Sequence, residues 1–278
     1  MSDAVALSVP CTMNDLPAEV YHTIAALSAG GLKRLRQSPL HFWAAQLDPD
    51  RTPSEPTPAM RAGTMAHTAI LEPDTMRARY AVRPADLDAR TKDGKAWLAA
   101  VPAGVQACTA DEAQTAWRQA DAIRALPDVA ELLADGRPEV SAFWHDPETG
   151  LLSKCRPDWV SPAGDAGVIL IDVKTAQDAS PAGFARAVSN FAYHLQAAWY
   201  SDGYTLATGV PVLGFVFAVV ESARPHAAAA YMLDDEALDR ARDANMRLRL
   251  LYAECMRSGA WPGYPAAIQP LSLPPWAF

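Results

Sequence analysis

The sequence predicts an α/β fold of the mixed α+β kind, and three observations carry that expectation. Helical spacing and helix caps fill the N-terminal half, residues 139–175 change to short β-prone runs divided by turns, and a helix, a buried strand and a last helix follow. Half of the 278 residues are hydrophobic, enough for a sizeable core, and the length suits one large domain or two small ones.

In chain order, "SAGGLKRLRQS" and "LHFWAAQL" read as short helices separated by Pro39, and "DPDRTPSEPTP" as a proline-rich loop. Helical spacing returns in "MRAGTMAHTAILEP", with Met65, Ala69 and Ile70 on one side and Pro73 ending the pattern. Thr109 and Glu112 have capping-box spacing ahead of a helix that stops by Pro127. The stretch "EVSAFWHDPETGLLSKCRPDWVSPAGDAGVILIDVKT" reads as a three-strand meander turned at "DPETG" and "SPAGDAG". Ser180 and Pro181 open a long helix expected to run to about Thr208, "PVLGFVFAVVES" is a buried strand, and a last helix covers roughly 234–258. Residues 1–19 are expected to form an N-terminal extension, 20–258 the main domain, and 259–278 an extended proline-rich tail lying across the surface or a neighbouring subunit.

Composition narrows the function. Lys and Arg total 24 against 32 Asp and Glu, a net charge of −8, which is the wrong sign for a protein that coats nucleic acid. Any contact with DNA must be local. "LKRLRQ" and the segment from Arg77 to Lys95, with six bases against three acids, are basic enough for one, or for an ordinary solvated face. No apolar run is long enough for a membrane span and the N-terminus does not resemble a secretory signal, so a cytoplasmic location without membrane partners is expected. Cys11, Cys108, Cys155 and Cys255 are dispersed without a C-x-x-C pair, which disfavours zinc, iron-sulfur clusters and disulfides.

The chemistry concentrates in "GVILIDVKTAQ". On a strand Asp172 and Lys174 share one face, while Ile171 and Val173 share the other. Asp158 ends "SKCRPD" in the preceding predicted strand, and hairpin pairing can bring it beside Asp172. Two carboxylates with open positions for water suit Mg²⁺ or Mn²⁺, and a lysine beside them can steady a water or a developing negative charge. A plain Asp172–Lys174 ion pair at a strand end accounts for the same residues. Gln196 and Tyr200 in "HLQAAWY" lie at i and i+4 on one helix face, where a polar seam is the simpler reading. His67 ends "GTMAH" on a helix that could abut the sheet.

Taken in order, "GTMAH", "RPDWV", "IDVKT" and "QAAWY" resemble the motifs of the PD-(D/E)xK nuclease superfamily, in its RecB-like branch, with Asp172 where many members carry Glu. "AMRAGTMAHTAILEP", "RTKDGKAW", "ETGLLSKCRPDWV" and "YHLQAAWYSDGY" extend the resemblance, over roughly residues 20–276, to the nuclease domain of phage and prophage exonuclease VIII (RecE-type) proteins. The resemblance implies a restriction-endonuclease-like core, a central mixed sheet flanked by helices. It implies that His67, Asp158, Asp172 and the backbone carbonyl of Val173 hold Mg²⁺ or Mn²⁺, that Lys174 positions the attacking water, and that Gln196 and Tyr200 hold the scissile phosphate or support the lysine. Glu139 could add an outer carboxylate but reads better as a solvent residue at the sheet edge, and Glu221 is equally ambiguous.

Known members digest one strand of linear duplex DNA from the 5′ end, and some form rings around it. The implied partners are therefore double-stranded DNA ends, further copies of this chain in a homo-oligomer, and a single-strand annealing recombination protein in a phage or prophage setting. The Arg77–Lys95 segment is the expected lining of such a ring. A nicking or structure-specific endonuclease, and a DNA-binding scaffold on a disabled nuclease fold, are the alternatives.

Overall fold

The computed structural model describes residues 7–52 and 55–273. Its strands are β1 (Cys11–Met13), β2 (Tyr80–Val82), β3 (Gln106–Cys108), β4 (Arg137–Pro138), β5 (Ser141–His145), β6 (Leu152–Cys155), β7 (Trp159–Pro162), β8 (Val168–Ala176), β9 (Val212–Glu221) and β10 (Ala228–Met232). Its α-helices are α1 (Ala18–Thr23), α2 (Ala29–Gln37), α3 (Pro39–Gln46), α4 (Pro58–Leu71), α5 (Met76–Arg79), α6 (Lys92–Ala100), α7 (Ala110–Arg124), α8 (Pro127–Ala134), α9 (Pro181–Asn190), α10 (Tyr193–Thr208) and α11 (Asp235–Ser258).

The central sheet has the order β10-β9-β8-β7-β4, with β8 and β9 parallel and the other neighbours antiparallel. It is a mixed sheet flanked by helices, as expected. Alternation along β8 and β9 divides the core into two layers. Ile171, Val173, Val216, Ala218 and Val220 pack with Met65, Ile70, Ala120 and Ile123 of α4 and α7, whereas Leu170, Phe215, Phe217 and Val219 pack with Leu32, Phe184, Ala197 and Trp199 of α2, α9 and α10. Leu170, Phe217 and Val219 have no accessible surface, and burial of side chains of this size contributes about 1.5–3 kcal/mol each. By the same parity Asp172 and Lys174 point into the α10 layer.

Local signals act where the sequence places them. Thr109 and Glu112 form both halves of the capping box on α7, and Ser180 caps α9 ahead of Pro181. Gly203 has a packing reason: a Cβ there would lie 2.2 Å from the Trp144 ring, so glycine lets α10 settle on β5.

Three features differ from the sequence expectations. The meander is split, because β5 and β6 join β1 in a separate three-stranded sheet while β7 and β8 belong to the central one. Pro157 lies between β6 and β7, where its missing N–H interrupts the ladder and the chain changes sheets. The single helix expected from Ser180 to Thr208 is two helices, broken at Ala192, whose φ of 53° is left-handed. β1, β4 and β10 also add edge strands, and β2 and β3 a separate parallel pair, that the pattern did not announce; β1 lies inside the segment read as an N-terminal extension. After α11, Trp261 stacks on Phe42 with centroids 5.5 Å apart and the Pro262 carbonyl accepts from Leu40 N–H, so this part of the tail packs on α3. Residues 1–6 and 274–278, the ends of those two segments, lie outside the described residues. Among the described residues no helix is long and apolar enough to cross a membrane.

Candidate active site

Register builds the site. Trp159 pairs with Ile171 across β7 and β8, so Asp158, one residue ahead of β7, comes level with Asp172. Its Oδ2 accepts the Val173 N–H at 2.8 Å, which holds the carboxylate against the sheet backbone. Asp158 therefore stands at the entry of β7 and not at the end of the strand before it. Glu139 sits between β4 and β5 with φ 53°, its N–H donating to the Asp158 carbonyl at 3.0 Å and its carboxylate meeting Arg156 Nε at 2.6 Å. From the opposite helical layer, α4 brings His67 Nδ1 to 3.4 Å from Asp158 Oδ2. One ligand atom each from His67, Glu139 and Asp158 lies within 4.8 Å of the others, close enough for a single cation. Glu139 thus faces the site and is not the solvent residue the sequence reading favoured.

Asp172 lies beside this cluster, 1% exposed, and makes an ion pair with Lys174. Gln196 Nε2 donates to Asp172 Oδ1 at 2.6 Å. On its other side, the Gln196 Oε1 accepts from Lys33 Nζ at 3.2 Å. Lys33 and Lys174 both approach the Tyr193 ring, their ammonium nitrogens 4.9 and 4.8 Å from its centroid. Tyr200 packs edge-on against Phe215 at 6.1 Å, in the field of Asp172 and Asp158. The structure therefore groups His67, Glu139, Asp158, Asp172, Val173, Lys174 and Gln196, and adds Lys33 and Tyr193, while Tyr200 lies one turn along α10 from Gln196 against Phe215. Tyr193 could have been found, since 193, 196 and 200 share one helix face. Lys33 belongs to the basic run "LKRLRQ", but its place in this site could not be read from the chain, because Gln196 is 163 residues away.

The electrostatics are those of crowded acids. Burial and the neighbouring Asp172 carboxylate push the Asp158 pKa up to about 7, against the opposing pull of Lys174, the Val173 N–H and Arg156. Burial and Asp158 likewise raise Glu139. The carboxylates around Lys174 outweigh its own burial and hold it charged above the usual lysine range, while burial and Lys174 lower His67 despite a hydrogen bond to the Val173 backbone. Crowded carboxylates held up by burial and by one another are a donor set that a divalent cation relieves, and imidazole with carboxylates is compatible with Mn²⁺ as well as Mg²⁺. The residues present fit such an ion.

A cleft of about 930 Å³ opens beside Lys174 between α4, α7 and α9, with Arg61, Gln119, Thr175, Phe191 and Tyr193 in its lining. Phe191 stands 60% exposed at its rim. Glu221 has a structural task, its carboxylate accepting the Ala179 N–H and its carbonyl the Gln119 amide. In the basic segment, Arg79 is paired with Glu72 and Arg90 with Asp88, so part of its charge is already neutralised.

A family model described as a PDDEXK-like domain of unknown function matches residues 28–272. Among solved structures, a protein of Eubacterium rectale provisionally named an exonuclease is similar over 94% of this chain and 97% of its own, with a TM-score of 0.63 and 14% identity. At that identity the likeness shows the fold. A second solved structure, SSO0001, covers 50% of this chain and 67% of its own at 17% identity, with a TM-score of only 0.29. No curated protein gives a significant match.

Proposed function

Because the chain belongs to the PDDEXK-like family, we propose that it is a metal-dependent DNA nuclease that acts as an exonuclease on linear duplex, digesting one strand 5′ to 3′ and leaving 3′ overhangs for recombination. The observation that carries the reading is the meeting of His67, Glu139 and Asp158 beside the buried Asp172–Lys174 pair. His67, Glu139, Asp158, Asp172 and the Val173 carbonyl would hold Mg²⁺ or Mn²⁺. Such an ion would lower the pKa of a bound water and offset charge growing on the phosphate.

The chain's own residues supply the rest. Lys174 is a point charge that steadies the water and the charge developing on the phosphate. Gln196 orients Asp172 through its amide, and Tyr200 offers a neutral donor to a phosphate oxygen without competing for cations. Exonuclease action, and its 5′ to 3′ direction, rest on the resemblance to RecE-type proteins, with the provisional name of the Eubacterium rectale protein pointing the same way for the exonuclease part. A homo-oligomer, as a ring with the bases of the Arg77–Lys95 segment toward the DNA, reconciles the net charge of −8 with DNA binding, and an annealing protein would receive the overhangs.

The test compares linear duplex with covalently closed circles under one metal and one salt. Loss of linear DNA with survival of circles, a 5′ label released before a 3′ label, and arrest by EDTA are expected. Equal attack on supercoiled plasmid would replace the exonuclease by an endonuclease, and full activity in EDTA would remove the metal.

A further inference from the structure

Lys33 lies on α2, whose other basic residues Arg34 and Arg36 face solvent, and it alone of the three reaches the site, across to α10. Helix packing dictates this: Leu32 and Leu35 are buried against the α10 layer, which fixes the rotation of α2 and leaves Lys33 at the border of the buried face. Its ammonium meets the Gln196 oxygen at 3.2 Å and the Tyr193 ring at 4.9 Å.

Donor and acceptor chemistry gives this contact a direction. A carboxylate only accepts hydrogen bonds and an ammonium only donates them. Gln196, which has one end of each kind, is held with its nitrogen toward Asp172 and its oxygen toward Lys33. Without Lys33 the amide oxygen loses its partner, and the amide is held at one end only, by the Asp172 carboxylate. We infer that Lys33 is a positioning residue of this site: it locks the orientation of Gln196, and through Gln196 it fixes the Asp172 carboxylate that pairs with Lys174. The inference rests on the nuclease reading for its kinetic consequence but not for its geometric one.

The test is a double-mutant cycle with Lys33→Met and Gln196→Leu, followed by kcat and KM on a linear duplex in Mg²⁺, by Mn²⁺ affinity from titration calorimetry, and by Tm. Outer partners of metal ligands typically change activity or metal affinity by about 10–100-fold. Lys33→Met is expected to lower kcat by roughly tenfold or more with KM little changed, and to weaken Mn²⁺ in parallel. In the Gln196→Leu background it should add almost nothing, because the link it acts through is gone. Lys33→Gln, which retains a donor, should recover part of the loss and serves if the Met variant does not fold.

A full Lys33→Met effect in the Gln196→Leu background would overturn the inference, as would a rise in KM at unchanged kcat, which marks direct phosphate contact. Unchanged kcat and unchanged Mn²⁺ affinity would overturn it too. If the wild-type protein cleaves no DNA, the nuclease reading falls, and the Mn²⁺ arm of the cycle decides the role of Lys33 by itself.

Discussion

Two buried aspartates make an instructive pair. Asp146 and Asp172 are each 1% exposed, and each meets a cation that is 15% exposed, Arg249 and Lys174 respectively. Their surroundings differ. Asp146 follows β5 and its Oδ1 accepts both the N–H and the hydroxyl of Thr149, while Arg249 comes from α11, so the pair closes the "DPETG" turn and ties a helix to it. Asp172 instead stands beside Asp158, Glu139 and His67, where burial and then the Asp172 carboxylate push the Asp158 pKa up to about 7. Burial of an ion pair is common to structure and chemistry. What marks the second site is like charge gathered where it is costly, which a bound cation can repay.

The largest expected contrast is in cleavage. Lys174→Ala should lower kcat by at least about a hundredfold with an unaltered circular dichroism spectrum. Arg249→Met should spare activity per folded molecule and cost about 3–5 kcal/mol of stability in urea unfolding, because Asp146 is left buried and unpaired. Strong loss of activity in folded Arg249→Met would erase the distinction.

A smaller effect concerns pH. The folded Asp158 pKa of about 7 lies above its unfolded value, so the folded state binds the extra proton and stability from this group falls as pH rises from about 4 through about 7. His67, lowered in the fold, opposes this trend below its ordinary range. Metal-free Tm, compared between wild type and Asp158→Asn, should show the variant gaining relative stability toward pH 7.5, and added Mn²⁺ should raise Tm only in the wild type. An identical pH profile for the two proteins would show that the Asp158 pKa is not raised in the fold. The smallest effect is Thr149→Val, which removes a hydrogen bond to Asp146 and should cost about 1 kcal/mol with activity unchanged.

Much of this was legible in the chain. Strand parity put Asp172 and Lys174 on one face, and hairpin logic brought Asp158 to Asp172, even though Pro157 moved Asp158 to the opening of the next strand. Helix spacing joined Gln196 to Tyr200, and α4 carried His67 to the sheet. Other features were not legible because tertiary contact decides them. The break between α9 and α10 falls at "SNFAYH", which has neither proline nor glycine. Glu139 enters through a left-handed residue between two short strands, and Lys33 through the packing of a helix far away in sequence.

The most direct measurement is anomalous diffraction from a crystal equilibrated with Mn²⁺. One peak is expected among His67, Glu139, Asp158 and Asp172, with carboxylate oxygens about 2.0–2.6 Å away, and none at Asp146. A peak elsewhere, or no peak beside an undisturbed Asp172–Lys174 pair, would contradict it.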